Sequence, residues 1–121
     1  MKAVPLVSVV VPAIAFNSHL DAAIHSLLEQ SYSNFEVIVV LDGVGLDSSR
    51  TWTTDSRVRF VCHETRQGTP VALNAGIREA GGEYIARLDA DDVSFPSRIA
   101  RQVDYLVAHP DTGCVGTVSA S

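Results

Sequence analysis

Glu83-Tyr84-Ile85-Ala86-Arg87-Leu88-Asp89-Ala90-Asp91-Asp92 runs from an apolar segment straight into three carboxylates within four positions. Like charges this close repel, so the cluster costs stability unless a cation offsets it. Hard oxygen ligands suit Mg²⁺ or Mn²⁺, and Mg²⁺ is commonly held by one or two carboxylates together with a substrate's phosphates. On extended backbone Asp89 and Asp91 project to the same side. One reading is therefore a divalent metal gripping a diphosphate at a strand end. The other is an acidic turn that caps the following helix, with Asp92 or Ser94 as N-cap and Pro96 in the first turn. These residues alone leave both open.

Outward from this stretch, apolar runs alternate with helical patterns. Leu6 to Val11 is β-branched and almost continuous, as expected of a strand buried on both faces, and Pro12 should end it. His19 to Gln30 carries Leu20, Ile24, Leu27 and Leu28 at helical spacing, with Asn17 or Ser18 as N-cap. Phe35 to Leu41 reads as a second buried strand closed by Asp42-Gly43, and Asp47 to Thr54 as a short helix or loop. Arg57 to Cys62 alternates polar with apolar, the pattern of a strand with one wetter face. Pro70 to Ala80 reads as a helix that Gly81-Gly82 stops. Glu83 to Leu88 is the next strand, Pro96 to Ala108 the next helix and Cys114 to Val118 a last short strand. The alternation predicts an α/β domain: an open, mostly parallel sheet with helices on both faces. Such sheets bind ligands outside the carboxyl ends of their strands. Pro12-Ala13-Ile14, Asp42-Gly43 and the acidic cluster should gather there.

Composition narrows the function. The 121 residues are 46% hydrophobic and 19% charged, with a net charge of −5, which describes an ordinary globular domain. The arginines are scattered and Lys2 is the one lysine, so a basic nucleic-acid-binding face is disfavoured. Cys62 and Cys114 lack metal-ligand spacing and sit in apolar runs, so both are expected to be reduced and buried. No run approaches the ~20 apolar residues of a membrane span, and Pro5 and Pro12 interrupt the apolar start. A cytoplasmic domain, free or at the inner face of a membrane, is the expectation. Asp42 followed by Gly43 could accept hydrogen bonds from a base N–H or a ribose hydroxyl, or form an ordinary turn with Gly43 at positive φ. No glycine fingerprint follows the first strand, which argues against a dinucleotide-binding or P-loop protein.

Taken in order, Val7 to Ala13, Leu27 to Val40, Asp42-Gly43, Ala72 to Ile77, Gly82 to Asp92 and Pro96-Ser97-Arg98 resemble the amino-terminal half of a family 2 glycosyltransferase. The similarity covers residues 6–118 and implies the Rossmann-like, nucleotide-binding half of a GT-A fold. It also implies a nucleotide-sugar donor, a UDP-sugar first, and inverting transfer of the sugar to an acceptor hydroxyl on a glycan or lipid. Carried over by position, Pro12, Ala13 and Ile14 line the base and ribose, and Asp42 hydrogen-bonds the base. Asp89 lies near ribose and metal, Asp91 coordinates Mg²⁺ or Mn²⁺, and Gly68 sits in the Arg66-Gln67-Gly68 segment that skirts the nucleotide. Arg66 itself reads either as a phosphate contact or, favoured, as an exposed loop arginine.

Three positions depart from the family pattern. Ile14 stands where relatives often carry an aromatic ring, with Phe16 two residues on; Leu41-Asp42 replaces an acidic pair; and Gly43-Val44 replaces Gly-Ser. Relatives keep their catalytic base in a second half, and no residue here fills that role: Asp92 fits a helix cap, and His19, His25, His63 and His109 read as structural or surface groups. Residues 1–121 are thus expected to be one donor-binding domain, cut short at its carboxyl end. A domain left incomplete could cover an open edge by pairing with a second copy. A nucleotidyltransferase would need a glycine-rich basic loop that is missing, and a non-catalytic nucleotide-binding or assembly module is the remaining alternative.

Overall fold

The computed structural model describes residues 5–89 and 98–108. Four parallel strands, β1 (Val7–Ala13), β2 (Phe35–Asp42), β3 (Val58–His63) and β4 (Tyr84–Arg87), form one sheet in the order β3-β2-β1-β4. Helices α1 (Ser18–Leu28), α2 (Thr69–Glu79) and α3 (Arg98–Ala108) and a short 3₁₀ turn, Thr51–Thr54, complete the described elements. Starting from β1, the chain steps outward to β2 and β3. It then crosses back through α2 to lay β4 on the other side of β1. The strand order reverses between β1 and β4, and the crevice at such a reversal is where sheets of this class take ligands.

Period-two alternation divides the sheet between two cores. Val7, Val9 and Val11 of β1 and Val37, Val39 and Leu41 of β2 pack with Leu20, Ala23, Ile24 and Leu27 of α1, with Trp52, and with Ile99 and Val103 of α3. Val10, Ile38 and Val40 face the opposite way, against Ala72 of α2. Helices on both faces are therefore observed. Of the two candidate caps, Asn17 is the one used: it accepts a hydrogen bond from the Leu20 amide at 3.0 Å, and Ser18 is the first helical residue.

β1 does not stop at Pro12 but continues to Ala13, with Pro12 in register with Val40. The reason lies in the direction its nitrogen faces. Val7 donates to Asn34 on the β2 side, whereas the Val10 carbonyl accepts from Leu88 on the β4 side. Even-numbered residues of β1 therefore face β4. That ladder ends at Val10–Arg87, so the missing N–H of Pro12 falls where no partner is needed.

Cys62 is exposed, not buried. It shares a face of edge strand β3 with Val58 and Phe60 but lies past Phe60, whose ring packs on Trp52 at 5.8 Å. Gly81-Gly82 does follow α2, yet positive φ occurs only at Gly43 and Gly68 among the described residues. Close approach dictates Gly82 instead: a Cβ there would stand 2.7 Å from the Ser8 nitrogen. Ser8, buried in β1, accepts from the Gly82 amide at 2.8 Å and donates to Glu36. Asp91, Asp92, Ser94, Pro96, Cys114 and the strand expected over Cys114 to Val118 lie outside the described residues.

Candidate functional site

A cavity of about 330 Å³ opens at the carboxyl ends of β1, β2 and β4. Of the residues singled out in the sequence, Pro12, Ala13, Ile14, Asp42 and Asp89 line it. Residues from the ends of three strands thus converge across up to 77 positions of sequence, between Pro12 and Asp89. Gly68 does not line the cavity but donates its amide to Asp42. Arg66, Thr69, Arg87, Asn17 and His19 also line the cavity. By sequence alone His19 is a structural or surface residue and Arg87 part of a strand. The signal that could have found them is positional: His19 lies in the first turn of the helix that follows β1, and Arg87 ends β4.

The wall after β1 is braced from behind. Phe16 does not supply the ring missing at Ile14; it stacks on Trp52 at 5.7 Å, and its carbonyl accepts from Arg50 at 3.4 Å. Arg50 also binds Asp21 and Asp47, and the Trp52 indole donates to Asp21 at 2.8 Å. Ile14, 57% exposed, is the largest apolar side chain lining the cavity, beside Pro12, Ala13 and Ala15.

Asp42 is 3% exposed at the cavity floor. Its Oδ1 accepts the Gln67 amide at 2.7 Å and lies 3.3 Å from His63 Nδ1, while Oδ2 accepts the Gly68 amide at 2.9 Å. Burial alone would raise its pKa. The two amides and His63 outweigh that and hold the carboxyl below its ordinary value. At the start of β3, the hydrogen bonds from Arg57 lower Asp55 to about 2. A carboxylate with a depressed folded pKa stabilises the fold above its unfolded value, near ~3.9, and loses that contribution as pH falls through the folded one. Thermal unfolding followed by circular dichroism should therefore show a midpoint that falls between about pH 4 and pH 2, and Arg57→Gln should blunt that fall.

Asp89 accepts from Arg87 through Oδ1, at 2.9 Å from Nη2 and 3.2 Å from Nε. Both side chains are largely solvated, so this pair is weak and a stronger cation can displace it. Asp89 offers the hard carboxylate oxygen that Mg²⁺ or Mn²⁺ prefers, at the edge of a cavity. Among the described residues no group of three or more His, Cys, Asp or Glu side chains could hold a metal by itself. A metal held here would need further oxygen atoms beyond those of the described residues. No helix among the described residues is long and apolar enough to cross a membrane.

Comparison with known proteins identifies the family and the fold. The family model for glycosyl transferase family 2 matches residues 8–121, and the chain belongs to that family. An uncharacterized glycosyltransferase of Haemophilus influenzae is 35% identical over 97% of this chain, which spans 38% of that protein. The bifunctional glycosyltransferase pgtA of Dictyostelium discoideum is 29% identical over 93% of this chain and 17% of its own length. The mannosyltransferase PcManGT of Pyrobaculum calidifontis, solved in complex with GDP-Man and Mn²⁺, superposes with a TM-score of 0.78 at 29% identity, covering 93% of this chain and 36% of that one. S. aureus TarS 1-349 in complex with UDP-GlcNAc has the same fold, with a TM-score of 0.75 at 23% identity over 86% of this chain and 32% of its own. The sheet is that of the GT-A fold glycosyltransferases.

Proposed function

We propose that this chain is the donor-binding portion of an inverting glycosyltransferase that takes a nucleoside-diphosphate sugar, a UDP-sugar first, and passes the sugar to a hydroxyl of a glycan or lipid acceptor. The observation that carries this reading is the single cavity shared by Pro12, Ala13, Ile14, Asp42 and Asp89 at the strand-order reversal. In it, Pro12, Ala13 and Ile14 line the base and ribose. Asp42 and Gly68 shape the same end, and Asp89 stands beside the ribose and the metal. Asp91, with Asp89, would hold Mg²⁺ or Mn²⁺. When bound, such an ion acts as a Lewis acid that neutralises charge on the departing diphosphate.

The chain's own residues do three things in this scheme. The wall after β1 supplies apolar contact through Ile14, without a stacked ring. Arg66 and Arg87 bring positive charge to a cavity that otherwise carries Asp42 and Asp89. Arg87 engages Asp89 through Oδ1, so the second carboxylate oxygen is the one offered to a cation. The base that deprotonates the acceptor hydroxyl is expected from outside these 121 residues.

Calorimetric titration of UDP and of GDP into the purified chain, with Mn²⁺ and again with EDTA, tests the reading. Binding is expected with Mn²⁺ and should weaken by on the order of a hundredfold in EDTA or in Asp91→Asn, since losing a metal ligand costs at least what losing its supporting partner does. Binding indifferent to both treatments would refute the metal assignment. Absence of binding by either nucleotide would favour a non-catalytic module.

A further inference from the structure

We infer that Gln30 is a positioning residue for the metal: by joining the end of α1 to the start of α3, its side-chain amide fixes the point to which the chain returns after Asp89 and Asp91. The inference rests on the proposed metal-assisted donor site for its effect on binding, whereas the junction itself belongs to the ligand-free chain.

Gln30 stands two residues past the end of α1 and is one of three buried polar or charged side chains among the described residues, with Ser8 and Asp42. At 8% exposure its amide must find partners within the protein. It takes one at each of two helix ends. Nε2 donates to the Ser26 carbonyl at 3.1 Å, in the last turn of α1, and Oε1 accepts the Ile99 amide at 3.1 Å, in the first turn of α3. Carbonyls in the last turn of a helix and amides in the first turn have no partner inside their own helix. A carboxamide answers both at once, since it carries a donor and an acceptor on one carbon. An ionised carboxylate cannot donate to Ser26, and an ammonium group cannot accept from Ile99. The backbone that carries the side chain is held too, with the Gln30 amide donating to the Leu27 carbonyl at 3.2 Å.

The junction spans 69 positions of sequence and lies inside the core. Ile99, 1% exposed, packs with Val103 in the same cluster as Leu20, Ile24 and Leu27 of α1. Apolar contact of this kind holds α3 against α1 but has no direction. The hydrogen bond to Ile99 supplies one and sets where α3 begins. On the other side of the acidic stretch, the Leu88 amide donates to the Val10 carbonyl at 3.1 Å. Asp89, Asp91 and Asp92 lie in sequence between these two ties. A segment tied at both ends loses less freedom when it is ordered around an ion. Gln30 does not line the donor cavity, so it acts through α3 and not by contact.

Hydrogen exchange at the Ile99 amide of the wild-type chain tests the junction. Its protection factor should exceed that of His19, the exposed second residue of α1, by at least tenfold, since a first-turn amide is protected only when a group outside the helix accepts it. Because coupling is reciprocal, Mg²⁺ with UDP should slow Ile99 by a further threefold or more relative to UDP with EDTA. The Arg57 amide, which Asp55 accepts at the start of β3, should keep its rate. Gln30→Met keeps the length of the side chain and removes both hydrogen-bonding groups. Free Mn²⁺ counted by electron paramagnetic resonance in the presence of UDP should then show metal affinity lowered by about tenfold, the lower end of what losing a partner that supports a metal ligand brings. UDP affinity in EDTA should stay within about twofold of the wild type. A merely structural residue would lower both alike, and that result, or an unchanged Mn²⁺ affinity, overturns the inference. So does a wild-type Ile99 amide that exchanges as fast as His19 or is indifferent to Mg²⁺, whether or not the variant folds. A wild-type chain with a protected Ile99 amide but no metal-dependent affinity for UDP or GDP would refute the donor reading and with it the positioning role, leaving a helix junction alone.

Discussion

Trp52→Ala is expected to destabilise the chain by about 3–5 kcal/mol, the range for deleting a buried large aromatic side chain. Trp52 is 4% exposed and stands at the junction of the α1 core face and the wall of the cavity. Its ring stacks with Phe16 at 5.7 Å and tilts against Phe60 at 5.8 Å, and its indole N–H is bonded to Asp21. Removing it opens a void between α1 and β3 and strips Asp21 of one of two donors, leaving Arg50 alone. For a domain with about 5–15 kcal/mol of stability, such a loss lowers the unfolding midpoint by on the order of 20 °C. Trp52→Phe should recover most of the packing but not the hydrogen bond, so its midpoint should fall between the other two. Thermal denaturation of the three chains checks the order. Because Phe16 lies two residues beyond Ile14, Trp52→Ala should also weaken nucleotide binding at temperatures where the variant remains folded. A midpoint within a few degrees of the wild type would show that Trp52 is not the keystone of this face.

Gly76→Ala should cost about 2–3 kcal/mol, although alanine is the better helix former by about 1 kcal/mol. Gly76 lies on the buried face of α2 with Ala72 and Ala75. A Cβ at Gly76 would stand 2.4 Å from Val10 Cγ1 and 3.1 Å from Val40 Cγ2, contacts that close-packed side chains do not tolerate. Both valines are fixed in the two central strands, so α2 must move away from the sheet. Its amino terminus follows directly on the Gly68 that Asp42 holds, so the displacement reaches the cavity wall. Chemical denaturation should show a lower midpoint with an unchanged slope. Adding Val10→Ala should return part of the lost stability, because it removes the closest atom, and a double variant no more stable than Gly76→Ala would locate the strain elsewhere.

Much of the fold was legible in the order of residues. Continuous β-branched runs at Val7 to Val11 and Phe35 to Leu41 read as buried strands because both faces of a parallel sheet are covered, and both occur. The helical spacing of Leu20, Ile24 and Leu27 placed α1 and its buried face, and the positive φ expected at Gly43 is present at +82°. Misreadings arose where a local rule met a tertiary fact. Pro12 was expected to end β1, but the strand continues, since its nitrogen faces a ladder that has already stopped. Cys62 was expected to be buried because it follows Phe60-Val61, but it lies at the end of an edge strand.

The candidate site divides in the same way. The sequence by itself determined the secondary elements, the family and the groups offered at the strand ends: Pro12 to Ile14, Asp42 and Asp89. Periodicity and side-chain type are local, and these features follow from them. The tertiary structure alone decided that Asp42 turns its carboxylate to the amides of Gln67 and Gly68, that Phe16 stacks inward on Trp52, and that Arg66, Arg87 and His19 join the same cavity. Each of these depends on where a parallel strand and its crossover bring residues tens of positions apart. The side-chain chemistry is written at each position, but the direction in which it is spent is set by packing across the sheet.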